Sequence, residues 1–214
     1  MANRSTSGFG LRMAMRLGNG PAIGGQSKYA IKSGLGVGIF KGNPASIQLA
    51  GDTGYIQDSA FSTTDDGNDG GIDFTTANDA LLVGVHNGVF YIDNTTSKPT
   101  FANSVAASTT FGTNPNTGST DGVAFVNDDP DQEYVVKADA AVGQAIFGLC
   151  GNINDFAAGD AKDGASTATF DSGAQAETKM FRIVRSAEDP DNEDLASAGA
   201  NIIVVINAAA NTYR

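Results

Sequence analysis

Few residues in this chain could perform acid–base or nucleophilic chemistry. His86 is the only histidine, and so the only side chain whose ordinary pKa lies close to neutral. It directly precedes Asn87-Gly88, a turn position that accepts many residue types, which favours a structural role. Cys150 is the only cysteine and lies in the apolar stretch 147–151, where a thiol behaves as a small hydrophobic group. No nucleophile elbow, phosphate-binding loop or paired-histidine zinc motif occurs, so we expect no enzyme.

Carboxylates crowd into several loops, and carboxylate oxygens are the ligands that calcium prefers. The densest group lies at 65–73, and smaller groups lie at 128–131 and 189–194. Their spacing does not match the EF-hand loop, which favours solvated acidic turns over a metal site. A calcium loop of another type at 65–73 is the alternative. One cysteine and one histidine cannot supply a structural zinc site, so we expect no metal and no cofactor.

The elements that would hold these residues are predicted to be short strands. Glycine accounts for 27 of the 214 residues, and apolar runs of four to six residues alternate with turns rich in Gly, Asn and Asp. The predicted strands lie at 28–32, 37–40, 46–49, 53–57, 81–86, 89–92, 100–105, 122–127, 133–138, 167–170, 180–185 and 201–206. The last reads as buried on both faces, because residues 202–206 are all apolar.

Asn87-Gly88 separates two apolar runs, 81–86 and 89–92. Both residues tolerate positive φ angles, so the pattern predicts a β-hairpin with a tight turn at Asn87-Gly88. Two similar turns are expected at Asp128-Asp129-Pro130-Asp131 and Glu188-Asp189-Pro190-Asp191, because proline there forbids a central strand.

Helical patterns are scarce. One short helix is expected within 139–149, with Asp139 as its N-cap, although two glycines weaken it. Many short strands with at most one short helix predict an all-β fold, with a β-sandwich, jelly-roll-like or barrel body.

The distribution of charge predicts the domain organisation. Residues 1–51 carry six cations and no Asp or Glu, whereas the other 7 cations and all 24 acidic residues follow. Residues 1–26 are glycine-rich, so we expect an extended basic arm on an acidic body, 27–214, with two β subdomains, 27–122 and 123–214, as one arrangement of that body. The residues expected to contact a partner are Arg4, Phe9, Leu11, Arg12, Met13 and Arg16. A solvated disordered tail is the alternative.

Physical arguments weigh against two classes of partner, membranes and nucleic acids. The longest apolar run, 202–206, is far shorter than the roughly 18 residues that a membrane-spanning helix needs. No secretory signal is predicted, because glycine and arginine interrupt the apolar residues near the N-terminus, and we expect synthesis in the cytoplasm. The acidic body would repel nucleic acid, so no specific nucleic-acid binding is expected.

Several stretches, in this order, resemble the capsid decoration, or cement, proteins of tailed bacteriophages from marine and other environments. They are SGFGLR at 7–12, IFKGNP at 39–44, VGVHNGVFY at 83–91, SKPT at 97–100, VNDDPD at 126–131, FRIV at 181–184 and VVIN at 204–207. The resemblance extends over nearly the whole chain. The chain departs from the family pattern at Asn43, where an acidic residue is expected before Pro44, and in the alanines at 208–210.

The resemblance implies a structural virion protein that binds the outer capsid surface, as a homotrimer, and ties neighbouring major capsid subunits together. Two alternatives remain open: a structural component of the tail or fibre, and a β-rich surface-binding module. A module that binds sugars would need exposed aromatic side chains, and the chain has no Trp and 5 Tyr.

Overall fold

The computed structural model describes residues 3–22, 24–48, 52–58, 82–154, 159–173, 175, 177 and 179–213. The first strands are β1 (Arg12–Arg16), β2 (Gly20–Pro21), β3 (Ser27–Ile31), β4 (Ile39–Phe40), β5 (Pro44–Ile47), β6 (Ile56–Asp58), β7 (Leu82–Ile92) and β8 (Pro99–Ala102). They are followed by β9 (Ser104–Val105), β10 (Gly122–Asn127), β11 (Gln132–Lys137), β12 (Cys150–Gly151), β13 (Ile153–Asn154), β14 (Thr169–Phe170), β15 (Phe181–Ser186) and β16 (Asn201–Ile206). Two 3-10 turns, Gln144–Ile146 and Ala208–Ala210, complete the described elements.

Two antiparallel sheets form the molecule, and the all-β, sandwich-like class predicted from the sequence is confirmed. The first sheet has the order β12-β15-β16-β11-β1-β2. The second has the order β3-β10-β7-β5-β6, and β8 also pairs with β7. Two small ribbons, β13-β14 and β4-β9, lie outside these sheets.

Each sheet buries its own apolar cluster. The cluster of the first sheet centres on Tyr134, Phe170 and Phe181 and also takes in Leu82 and Val85 from β7 of the second sheet. The cluster of the second sheet takes Ile31, Ile39, Ile56 and other residues between 31 and 126. Strand β7 therefore contributes to both cores and joins the two sheets.

The predicted hairpin at Asn87-Gly88 is wrong. Strand β7 runs straight through these residues, and the register with β10 changes there, since Phe125 pairs with Gly88 and Val126 pairs with His86. Asn87 is thus the extra residue of a β-bulge, and Gly88 takes a φ of 149°, which favours glycine. The difference arises because strands from elsewhere in the chain pair with β7. Strand β10 pairs with both halves of β7, and β5 and β8 pair with one half each. The two halves of β7 therefore do not have to pair with each other as a hairpin.

The predicted helix at 139–149 is reduced to the single 3-10 turn Gln144–Ile146, whose N-cap is Gly143 and not Asp139. The carboxylate of Asp139 instead accepts hydrogen bonds from the Ser172 hydroxyl at 2.6 Å and from the Asn154 amide at 2.8 Å. A competing partner for the expected cap, together with Gly143 before the turn and Gly148 just beyond its C-cap Phe147, explains the difference. No helix within the described residues is long and apolar enough to cross a membrane.

The two Asp-Pro-Asp turns are confirmed as similar structures. In each, the first carboxylate accepts a hydrogen bond from the backbone N–H two residues on, from Asp131 to Asp129 at 3.0 Å and from Asp191 to Asp189 at 3.1 Å. Strand β16 is buried at every position, also as predicted, because it lies between β15 and β11 inside the first sheet.

The N-terminal segment has an extended backbone but does not stand apart from the body. Strand β1 pairs antiparallel with β11 inside the first sheet, with Arg12 opposite Val135. The boundary expected at residue 26 therefore does not separate a free arm from a body. The second boundary, expected at 122, stays a prediction; β10 belongs to the second sheet and β11 to the first, so the chain passes between the sheets after Asn127.

Candidate functional site

The structure divides the six residues predicted to contact a partner among three places. A cavity of about 310 Å³ is lined by four of them, Phe9, Leu11, Arg12 and Met13. Arg4 and Arg16 lie elsewhere, in ion pairs with the chain's own turns. The segment therefore does not present one continuous contact surface.

Arg4 and Arg16 each bind one of the Asp-Pro-Asp turns. The Nη1 atom of Arg4 lies 2.9 Å from Oδ2 of Asp191, and Nε of Arg16 lies 2.7 Å from Oδ2 of Asp129. The Arg4 pair is well exposed, so it contributes little to stability. Both cations are nevertheless neutralised locally, which weakens the expected long-range attraction of this segment for an acidic partner.

Leu11 is part of the buried core of the first sheet and is not available to a partner. The backbone beside it is also held, because the N–H of Leu11 donates to the carbonyl of Gly42 at 2.9 Å and that of Gly10 to Ala168 at 3.0 Å. A Cβ at Gly8 would lie 1.9 Å from the carbonyl oxygen of Thr167. Glycine at this position thus allows close backbone packing, whereas the glycine-rich sequence predicted an extended arm.

The residues just before this point are tied to the body as well. The Nδ2 atom of Asn3 donates to the carbonyl of Asp194 at 2.9 Å, and the ammonium of Lys137 donates to the carbonyl of Ser5 at 2.9 Å. Burial lowers the pKa of Lys137, which is largely enclosed by these contacts. The N-terminal segment therefore contributes to the stability of the body.

Three exposed apolar side chains lie along β1 and just beyond it, and the register of β1 with β11 shifts between Met13 and Arg16. The exposed fractions of Met13, Met15 and Leu17 are 38%, 44% and 48%. The neighbouring β2 pairs with β1 at Met15 and Arg16, at the outer edge of the first sheet. An apolar row at a sheet edge is a surface on which another protein can pack. We call Met13, Met15 and Leu17 the β1 row.

The cavity beside the β1 row combines an apolar interior with basic residues. Leu11 and Val85 are buried, whereas Arg12 and Lys41 are exposed and so lie towards its mouth. The guanidinium of Arg12 lies over the ring of Phe9, 4.1 Å from its centroid. This contact holds the charged group in place without neutralising it.

His86 also lines the cavity and is buried within β7. Its Nε2 atom lies 3.3 Å from the carbonyl oxygen of Gln57, and its Nδ1 atom has no hydrogen-bond partner among the described residues. Burial lowers the pKa of His86 to about 4, so the imidazole is neutral at neutral pH.

Cys150 is buried, as the apolar sequence around it predicted. Burial raises the pKa of its thiol, which keeps the sulfur protonated.

The acidic residues at 128–131 and 189–194 lie in turns and loops. The pKa of Asp189 is lowered, first by the backbone N–H of Asp191 and then by the side chain of Asn192. The described residues contain no group of three or more His, Cys, Asp or Glu side chains placed to hold a metal ion. The acidic loop at 65–73 lies outside the described residues.

One surface was missed in the sequence. Phe90, Phe101 and Phe125 form an aromatic patch on the second sheet, with ring centroids 4.6 Å apart for Phe90–Phe101 and 6.3 Å apart for Phe101–Phe125. Phe101 is 73% exposed. The three residues are far apart in sequence, and the pairing of β7 with β8 and β10 brings them together. We call them the phenylalanine patch.

Comparison with known proteins gives no relative: no family model, no curated protein and no solved structure matches the chain. A function must therefore be inferred from the residues and surfaces described above.

Proposed function

We propose that this protein is a structural component of a bacteriophage virion. In this proposal it is made in the host cytoplasm, binds the outer surface of the capsid and stabilises the contacts between major capsid subunits. The order of the sequence motifs that resemble decoration proteins supports the proposal. So does a mostly β body whose described catalytic candidates, His86 and Cys150, are both buried.

The β1 row is the observation that carries this proposal. Met13, Met15 and Leu17 place flexible apolar side chains at the edge of a sheet, where burial against a partner would be favourable. Arg12, on the same strand, pairs with no carboxylate among the described residues and supplies a cation beside the row. This combination suits a shell surface that offers apolar and acidic groups together.

The phenylalanine patch supports self-association, which the proposal includes as a homotrimer. An exposed aromatic side chain such as Phe101 is typical of the residues that dominate binding at protein interfaces. The patch lies on the second sheet and the β1 row on the first, so the proposal assigns self-association to the patch and shell binding to the row.

A capsid-binding assay tests the role of the β1 row. Purified protein is added to phage capsids that lack it, and bound and free protein are separated by sedimentation. The Leu17→Lys variant should bind at least about tenfold more weakly, because a charge is forced into an apolar contact.

The matched control is Leu149→Lys. Leu149 is 44% exposed, close to the 48% of Leu17, but lies next to β12 at the opposite end of the first sheet. This variant should bind capsids as tightly as the parent protein. Equal binding by Leu17→Lys and the parent would contradict a shell contact through the β1 row.

A further inference from the structure

The cavity beside β1 has a charge that is unusual for this chain. The net charge of the protein is −11, yet the charged side chains that line the cavity within the described residues, Arg12 and Lys41, are both cations. Neither forms an ion pair with a described residue, whereas Arg4, Arg16, Lys32 and Arg185 all do. Two cations without a carboxylate partner at one opening favour an anion.

The chemistry of Arg12 favours a carboxylate as that anion. The guanidinium carbon of Arg12 lies 4.1 Å from the centroid of the Phe9 ring, and the group carries several N–H donors. Those N–H groups are spaced to donate two parallel hydrogen bonds to one carboxylate. Leu11 and Val85 then provide an apolar surface for the carbon skeleton attached to that carboxylate.

His86 places a second condition on the ligand, which must donate a hydrogen bond to a buried ring nitrogen. Since a carbonyl oxygen can only accept, the contact with Gln57 places the imidazole proton on Nε2. Nδ1 then carries a lone pair that no described residue satisfies, and a buried acceptor without a partner costs free energy. A ligand with an O–H donor would supply the missing hydrogen bond.

We propose that this cavity binds a small organic acid that carries a hydroxyl group. Arg12 and Lys41 hold the carboxylate, the buried apolar residues contact the carbon skeleton, and Nδ1 of His86 accepts a hydrogen bond from the hydroxyl. A volume of about 310 Å³ is at the lower end of ligand cavities and suits an acid with a single ring.

The proposal is tested by titrating the isolated protein with 4-hydroxybenzoate and following amide shifts by NMR. We expect saturable shifts at residues around Gly42 and His86. Benzoate, which lacks the hydroxyl, should bind about tenfold more weakly, and 4-hydroxybenzamide, which lacks the charge, should produce no saturable shift up to about 10 mM. Equal binding of the acid and the amide, or of 4-hydroxybenzoate and benzoate, would overturn the proposal, as would the absence of saturation with 4-hydroxybenzoate.

Variants locate the binding. Arg12→Gln should weaken 4-hydroxybenzoate binding at least about tenfold, because two charge-assisted hydrogen bonds are lost. Arg12 is exposed, so the variant should fold, and its amide spectrum checks this. Lys98→Gln removes a cation in the turn before β8 and should bind like the parent. Unchanged binding by Arg12→Gln would exclude this cavity. No capsid is present, so the outcome is independent of virion attachment.

Discussion

At the scale of single residues, burial determines the chemistry of the groups that first suggested activity. His86 and Cys150 both lie inside the body, where the charged form of each is disfavoured. The sequence predicted the burial of Cys150 from its apolar neighbours. It gave no sign that His86 would be buried, because the bulge that places it there depends on three strands from elsewhere in the chain.

The buried imidazole predicts a dependence of stability on pH. The pKa of His86 is about 4 in the folded protein and near 6.5 when the chain unfolds, so the unfolded state takes up the proton first as pH falls. The contribution of His86 is complete above the unfolded pKa and is lost as pH falls towards the folded one. The expected loss is about 3 kcal/mol between about pH 7 and about pH 4.

Urea unfolding at several pH values measures this effect. The His86→Asn variant keeps a polar side chain that does not titrate, and it serves as the control for carboxylates that also titrate in this range. Its free energy of unfolding should fall less with acid than that of the parent. Parallel curves for the two proteins would show that His86 contributes nothing to acid sensitivity.

At the scale of elements, local patterns in the sequence were enough to locate most strands. The predictions at 28–32, 122–127, 133–138, 180–185 and 201–206 each coincide with an observed strand to within one residue at each end. Apolar alternation and turn residues are local signals, and these segments have them. Strand pairing depends on segments that are distant in sequence. The local pattern at Asn87-Gly88 therefore predicts a turn, whereas the structure has a continuous strand there.

The close packing of β7 and β10 gives a prediction at this scale. A Cβ at Gly84 would lie 2.0 Å from the carbonyl oxygen of Asn127, so the Gly84→Ala variant must push the two strands apart. We expect a loss of about 1–3 kcal/mol in the free energy of unfolding. Gly36→Ala is the control, because no atom lies within 4 Å of the Cβ position at Gly36. Equal stability of the two variants would contradict this packing of β7 on β10.

At the scale of the whole molecule, the N-terminal segment is part of the folded body and is not a free arm that could reach out to a partner. The contrast in charge along the sequence suggested a free basic arm, but Arg4 and Arg16 bind turns of the body and Leu11 enters its core. The sequence predicts which residues of this segment contact a partner, and that stays a prediction. It could not show that Leu11 enters the core or that Arg4 and Arg16 form ion pairs with the chain's own turns, because contacts between distant segments depend on the complete sheet.

Within the described residues, the proposed partner surfaces are the β1 row, the cavity next to it and the phenylalanine patch. Each is assembled from the folded sheets, so deletion of residues 1–26 would remove β1 and damage the body along with the contact. Single substitutions of exposed residues are the appropriate test of function in this protein.

The most direct test of the central claim is the number of copies of this protein in purified virions, measured by quantitative mass spectrometry against the major capsid protein. A protein that covers the capsid surface should be present at on the order of hundreds of copies per particle, because icosahedral symmetry repeats each binding site. About a dozen copies or fewer, as expected of a tail or fibre component, or absence from the particle, would contradict it.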